Sequence, residues 1–121
     1  MADGDKVLVV VFFRTENGRE PVREWLVGFG RDDMRAIGTD LKTVEFGWPV
    51  GMPTCRALGD GLWETRTNLS DKRIARVFFC IRDGEMVLLH GFVKKTQKTP
   101  AADLEMARKR MRQLEGGNGR K

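Results

Sequence analysis

Tyrosine is absent from these 121 residues, histidine occurs once and cysteine twice, and no apolar stretch approaches the length of a membrane span. Each shortage removes a class of explanation. A bilayer-crossing helix needs about 20 consecutive apolar residues, so no membrane partner is expected. Cys55 and Cys80 lie far apart with no histidine beside them, which argues against a metal site or a redox pair and for two reduced packing residues. His90 stands alone and no Asp-x-Asp type cluster occurs, so little is on offer to hold zinc or magnesium. The expectation is chemistry without a metal or other cofactor. The opening Met1-Ala-Asp-Gly-Asp places two acids ahead of the apolar run Val7 to Phe13, where a secretory signal would carry basic residues and then a cleavage site. A cytoplasmic protein is expected.

Positive charge is what the chain has in excess, and it is unevenly placed. Residues 94–121 hold nine Lys/Arg against three Asp/Glu, whereas residues 1–93 hold thirteen against fourteen, so the net +5 comes from the C-terminal part. A local basic patch attracts polyanions through steering and counterion release, and nucleic acid is the natural partner. A solvated basic helix is the plain alternative. A chain of this length fits one ordinary domain, read as residues 1–115, with 116–121 as a disordered basic tail.

The run Val7-Leu-Val-Val-Val-Phe-Phe13, β-branched and aromatic, suits a buried strand. Asn17-Gly18 turns the chain, and Pro21 fits the first turn of a helix with apolar face Val22, Trp25, Leu26 and Phe29. Asp32 or Asp33 can cap a second helix whose apolar stripe is Met34, Ile37, Leu41 and Val44. Together they read as an antiparallel helical hairpin. Two prolines and two glycines make Phe46 to Pro53 a loop. Leu62 to Leu69, Arg73 to Arg82 and Met86 to Val93 read as three strands of an antiparallel meander, the last two joined by a tight turn at Asp83-Gly84. Thr99 can cap a third helix with Pro100 at its first position and a buried stripe of Leu104, Ala107, Met111 and Leu114. Arg108, Lys109, Arg110 and Arg112 lie largely outside that stripe, and Arg108, Lys109 and Arg112 are read as an RNA-binding face. The predicted fold is α+β: a mostly antiparallel sheet with an N-terminal helical hairpin and a C-terminal helix.

Strand alternation places Glu64 and Arg66 on one face of their strand, and Arg76 with Ile74 and Phe78 on one face of the next. An arginine among apolar residues of a central strand is costly to bury unless it is paired or sits at a concave site. The third strand runs into Lys94-Lys95-Thr96-Gln97-Lys98. A carboxylate, two guanidiniums and several ammoniums can therefore converge on one sheet face, a set suited to a phosphodiester. RNA cleavage needs a base for the 2′-OH, cations for the pentacoordinate phosphate and an acid for the leaving 5′-oxygen. Glu64 is the candidate base, and Arg66 and Arg76 hold the phosphate through planar forks. A lysine among like charges can exchange protons near neutrality. The plain counterparts stay open: a cross-strand ion pair for Glu64 and Arg66, a bridge to a carboxylate for Arg76, a solvated turn for the lysines. His90 reads as a hydrogen-bonded packing residue, and Trp25, Trp48 and Trp63 as core or partner-contact residues.

Arg56-Ala-Leu-Gly-Asp-Gly-Leu-Trp-Glu-Thr-Arg66, Arg76-Val-Phe-Phe-Cys80 and His90-Gly-Phe-Val-Lys-Lys-Thr-Gln-Lys-Thr-Pro100 closely resemble phage-derived HigB-like toxins of the RelE/ParE superfamily. The resemblance runs from about Phe12 to Arg112. It implies that superfamily's fold, ribosome-dependent mRNA cleavage, and a cognate antitoxin, often a HigA-like helix-turn-helix repressor, through which alone operator DNA would be met. By the same resemblance Arg76 matches the strand arginine that acts on the scissile phosphate, and Arg66 a basic residue of the preceding strand. Glu64 matches relatives that use a glutamate base, and Lys94, Lys95 and Lys98 fall in the region supplying C-terminal basic residues. The tyrosine used by some relatives near the last helix is missing. The alternatives are a non-enzymatic inhibitor of DNA gyrase, as in the ParE branch, and a toxin that only co-represses its operon with the antitoxin.

Overall fold

The computed structural model describes residues 6–94 and 100–116. In chain order they form β1 (Val9–Phe12), α1 (Pro21–Val27), α2 (Arg31–Gly47), β2 (Cys55–Gly59), β3 (Leu62–Asn68), β4 (Ile74–Arg82), β5 (Glu85–Lys94) and α3 (Ala101–Glu115). Turn chemistry fixes the hairpins. Asp83 and Gly84 both have positive φ, 52° and 78°, as a type I′ turn requires, and Asp60-Gly61 repeats the device at 56° and 86° between β2 and β3. A short 3-10 turn, Ser70–Lys72, joins β3 to β4.

The strand order is β1-β5-β4-β3-β2. β2 to β5 pair antiparallel in succession, and β1 adds to the free side of β5 in parallel. The sheet is thus mixed, which corrects the expectation of a mostly antiparallel one. The reason is topological, since a strand that begins the chain and pairs with its last strand can run in either direction. Expectation also missed β2, whose Cys-Arg-Ala-Leu-Gly sequence lacks β-branched residues.

The N-terminal helical hairpin is likewise corrected. α1 has seven residues, and it packs on β5 and β1 while α2 packs on β3 and β1. Both helices lie on one sheet face rather than forming a separate pair. Trp25 of α1 reaches β5 because Gly91 has no side chain: a Cβ there would stand 2.5 Å from the indole. Two caps also shift. Gly30 precedes α2, leaving Asp32 and Asp33 in its first turn, where carboxylates favour the positive helix end. Pro100 is the cap residue of α3, and Thr99 lies outside the described residues, as do 117–121 of the expected tail.

At the end of α2, Glu45 is buried, with only 6% of its surface exposed. Its carbonyl accepts the N–H groups of Val7 (2.7 Å) and Leu8 (3.0 Å), and its carboxylate accepts that of Val10 (2.7 Å). A helix-end carbonyl that would lack a partner and the outward N–H of an edge strand satisfy each other, and β1 is held in place.

The strands' alternation sorts the core onto two faces. Ile37, Leu41 and Val44 of α2 and Val22 of α1 cover Ala75, Val77, Phe79, Met86 and Leu88. Met34, expected in this stripe, is exposed. On the opposite face Ala107, Met111 and Leu114 of α3 cover Phe13, Leu62, Phe78, Cys80, Val87 and Leu89. Full burial of such side chains contributes about 1.5–3 kcal/mol each, so both faces are needed. No helix among the described residues is long and apolar enough to cross a membrane.

Candidate functional site

Beyond the start of α3 the second face turns from apolar to charged. Pairing puts Arg56 opposite Glu64 and Glu64 opposite Phe78; one step along, Arg66 stands opposite Arg76 and Arg76 opposite Phe92. Like charges directly across a sheet repel, and Glu64 compensates. Arg76 Nη1 donates to both carboxylate oxygens, at 3.0 Å to Oε1 and 2.8 Å to Oε2, and Arg56 Nη2 lies 3.1 Å from Oε2. Glu64 has no exposed surface and Arg76 has 4%. Each would be costly to bury alone; together they form a bridge with strongly directional bonds.

The bridge engages only one nitrogen of Arg76. Its hydrogen bonds run through Nη1, while Nε is buried without any hydrogen-bond partner. The Nε–Nη2 side of a guanidinium is one of the edges that grip two oxygens at once. A planar donor edge is therefore left over at a position the fold holds rigid.

Lys94, the last residue of β5, is 7% exposed on the same face. Burial pushes its ammonium below the ordinary lysine range, the nearby Arg76 lowers it further, Glu64 opposes, and Arg56 and Arg66 add smaller repulsion. Among the described residues, four cationic side chains, Arg56, Arg66, Arg76 and Lys94, thus share a field with the carboxylate of Glu64. The surplus is positive and in part desolvated, a setting in which an oxyanion is welcome.

Of the residues singled out from sequence, Glu64, Arg76 and Lys94 come together here. Arg66 is near enough to act on Lys94 but also lines a hollow of about 290 Å³ with Asp40, Pro53, Thr54 and Asn68 at the sheet edge. Lys95 and Lys98 lie outside the described residues. The three residues read as an RNA-binding face separate. Lys109 and Arg112 are exposed on α3, but Arg108 donates to the carbonyls of Leu58 (3.0 Å) and Gly59 (3.3 Å), tying α3 to the β2–β3 hairpin. Arg110 is similarly committed, donating to Leu89 O at 2.7 Å above the Phe13 ring.

Sequence reasoning did not assign Arg56 or Asp103 a place in the site. The Asp60-Gly61 turn implies a strand before it, but only the register shift between Ala57 and Gly59 sets Arg56 opposite Glu64. Asp103 accepts a contact from the sole histidine: His90 Nε2 lies 2.5 Å from Asp103 Oδ1. Among the described residues no three of His, Cys, Asp and Glu gather where they could hold a metal. A hollow of about 360 Å³, lined in part by Phe13, Thr15, Lys109 and Arg110, lies on the far side of α3 and includes neither Glu64 nor Arg76. Glu64, Arg76 and Lys94 are buried within the cluster, and the half-buried Arg56 and Arg66 carry its exposed surface.

A family model described as phage derived protein Gp49-like (DUF891) matches residues 24–112, which run from within α1 through most of α3. No curated protein matches.

Proposed function

The chain belongs to the Gp49-like phage-derived family, within the RelE/HigB-like toxins, and on that premise we propose that it is the toxin of a type II toxin–antitoxin pair that cleaves messenger RNA on the ribosome without a metal. The single observation that carries the reading is the unengaged edge of Arg76, fixed by Glu64 and surrounded by cations. A scissile phosphate reaches this edge once the groups that bury Nε move aside, and there it meets two N–H donors that stabilise the charge developing on its oxygens in the pentacoordinate state. RNA supplies its own nucleophile in the 2′-OH.

In this scheme Glu64 positions Arg76. It is the expected base, yet a carboxylate whose two oxygens already accept guanidinium N–H groups, with no surface open to solvent, is poorly placed to receive another proton. Lys94, made more acidic by burial and by Arg76, is suited to protonate the leaving 5′-oxygen. Lys95 and Lys98 remain candidates for phosphate contact, Arg66 for the adjoining phosphate, and Lys109 and Arg112 for the RNA backbone. A partner as large as the ribosome would present the message to this face and complete the enclosure. The cognate antitoxin would be the protein partner that holds this activity in check.

Brief induction in cells followed by mapping of transcript 5′ ends tests the reading. New ends within translated messages, reproduced with purified toxin only when ribosomes are present, are the expected result. Intact messages accompanied by trapped, cleaved gyrase complexes would overturn it in favour of a gyrase poison.

A further inference from the structure

β4 and β5 pair regularly from Arg82↔Glu85 to Phe79↔Leu88, after which the register slips and Phe78 faces His90. Leu89 is the additional residue of a β-bulge, and bulges re-aim side chains. Had the ladder continued regularly, His90 would have stood opposite Val77, on the α1 side of the sheet. The slip instead turns both Leu89 and His90 toward α3. His90 then lies beside Phe78 and diagonal to Arg76, a separation of about 7–8 Å between backbone positions.

Its ring is held by three contacts. Phe92 stacks on it with centroids 5.8 Å apart at 27°, Phe78 lies at 6.4 Å, and Nε2 meets Asp103 in the first turn of α3. Hydrogen bonding of one ring nitrogen to a carboxylate sets the tautomer. With the proton on Nε2 facing Asp103, Nδ1 carries the lone pair. Nδ1 makes no hydrogen bond to a described residue, and the side chain keeps 20% of its surface exposed. Among the described residues, Asp103 of α3 contacts the ring, Arg76 of β4 is diagonal to it in register, Glu64 of β3 lies beyond Phe78, Lys94 stands farther along β5, and Arg110 of α3 donates to the carbonyl of the neighbouring Leu89.

We propose that His90, oriented by Asp103, is the general base for cleavage at this face. The inference rests on the ribonuclease reading above and fills the role that the engaged carboxylate of Glu64 leaves open. Nδ1 takes the proton of the 2′-OH as the O2′–P bond forms. The P–O5′ bond breaks with its electron pair on the 5′-oxygen, which takes a proton from Lys94. The products are a 2′,3′-cyclic phosphate and a 5′-hydroxyl, and His90 and Lys94 return to their starting states by exchange with water. Asp103 does not touch the substrate; it positions His90.

The test uses single-turnover cleavage of ribosome-bound mRNA by wild type, His90→Gln, Asp103→Asn and Arg76→Lys. Each message is supplied in two forms, with oxygen or with sulfur as the 5′ leaving atom, because a thiolate leaves without a proton. Glutamine can still donate to Asp103, so retention of the thermal transition in His90→Gln separates packing from chemistry. Asp103→Asn offers a second route if that variant fails to fold. His90→Gln is expected to slow the chemical step on the order of 10²–10⁴-fold on both messages, with unchanged KM and with the fall in rate at acid pH abolished. Asp103→Asn is expected to slow both messages to a lesser degree. A wild-type rate in a folded His90→Gln, a loss confined to KM, or recovery on the sulfur message, which would make His90 the acid, overturns the proposal while Arg76→Lys still upholds the reading beneath it. If wild type cuts neither message, that reading falls and the proposal with it.

Discussion

The two faces of one sheet are built from alternate residues of the same strands, yet they end in opposite ways. Under α1 and α2 the row Ala75, Val77, Phe79 is apolar throughout and continues across β5 through Met86 and Leu88. Under α3 the interleaved row begins apolar at Cys80 and Phe78 and becomes charged at Arg76, where Glu64, Arg56 and Lys94 join it. The first face holds the domain together. The second does so for half its length and then gives up packing for a set of cations around one acid, an arrangement expensive in stability that suits the binding of an anion.

Phe79→Ala and Glu64→Ala put this contrast to its largest test. Each is expected to cost about 3–5 kcal/mol, the first by opening a cavity and the second by leaving buried cations without their acid. Denaturant titration should separate them: millimolar inorganic phosphate restores part of the stability of Glu64→Ala and none of that of Phe79→Ala. Equal response of the two variants would mean that the charged face does not accept anions. Gly91→Ala tests the closed face from its other side. Its new methyl meets the Trp25 ring, and a loss of about 1–3 kcal/mol is expected from overpacking, read as a lower thermal transition with the charged cluster unchanged.

Lys94→Met is expected to act in the opposite direction. Burial and Arg76 hold the lysine below its usual range in the folded state, so the folded protein binds this proton less tightly than the unfolded chain does. That penalty is full at low pH and fades as pH rises from the lowered folded value toward the ordinary lysine value. The substitution should raise stability at neutral pH by about 0.5–2 kcal/mol, with the gain shrinking in alkaline buffer, and should impair cleavage. A variant that is less stable at neutral pH would show that Lys94 is a supporting group of the fold.

Much of this could be read before any coordinates. The apolar stripe of α2, the Asp83-Gly84 turn and the alternation in β3 and β4 are local signals, and they placed Glu64 with Arg66 and Arg76 with Phe78 on defined faces. What escaped is set by contacts distant in sequence. Nothing local tells β1 to run parallel to β5, and a single glutamate near the end of α2 gives no sign that Glu45 will be buried by that strand. Bulges hid the rest. Counting back from Asp60-Gly61 in a regular hairpin would set Ala57 opposite Glu64, but the register shift between Ala57 and Gly59 brings Arg56 there. The slip at Leu89 likewise moves His90 to the charged side, where plain alternation from Glu85 would not put it. One residue of slip exchanges the faces of everything beyond it, so the strands could be recognised while the site could only be sketched.

Single-turnover cleavage of ribosome-bound mRNA by Arg76→Lys tests the central claim most directly. Lysine keeps a positive charge for Glu64 but lacks the second, planar edge. The chemical step is expected to fall on the order of 10²–10³-fold while the thermal transition and antitoxin binding persist. Cleavage at the wild-type rate would contradict the assignment of that edge to the scissile phosphate.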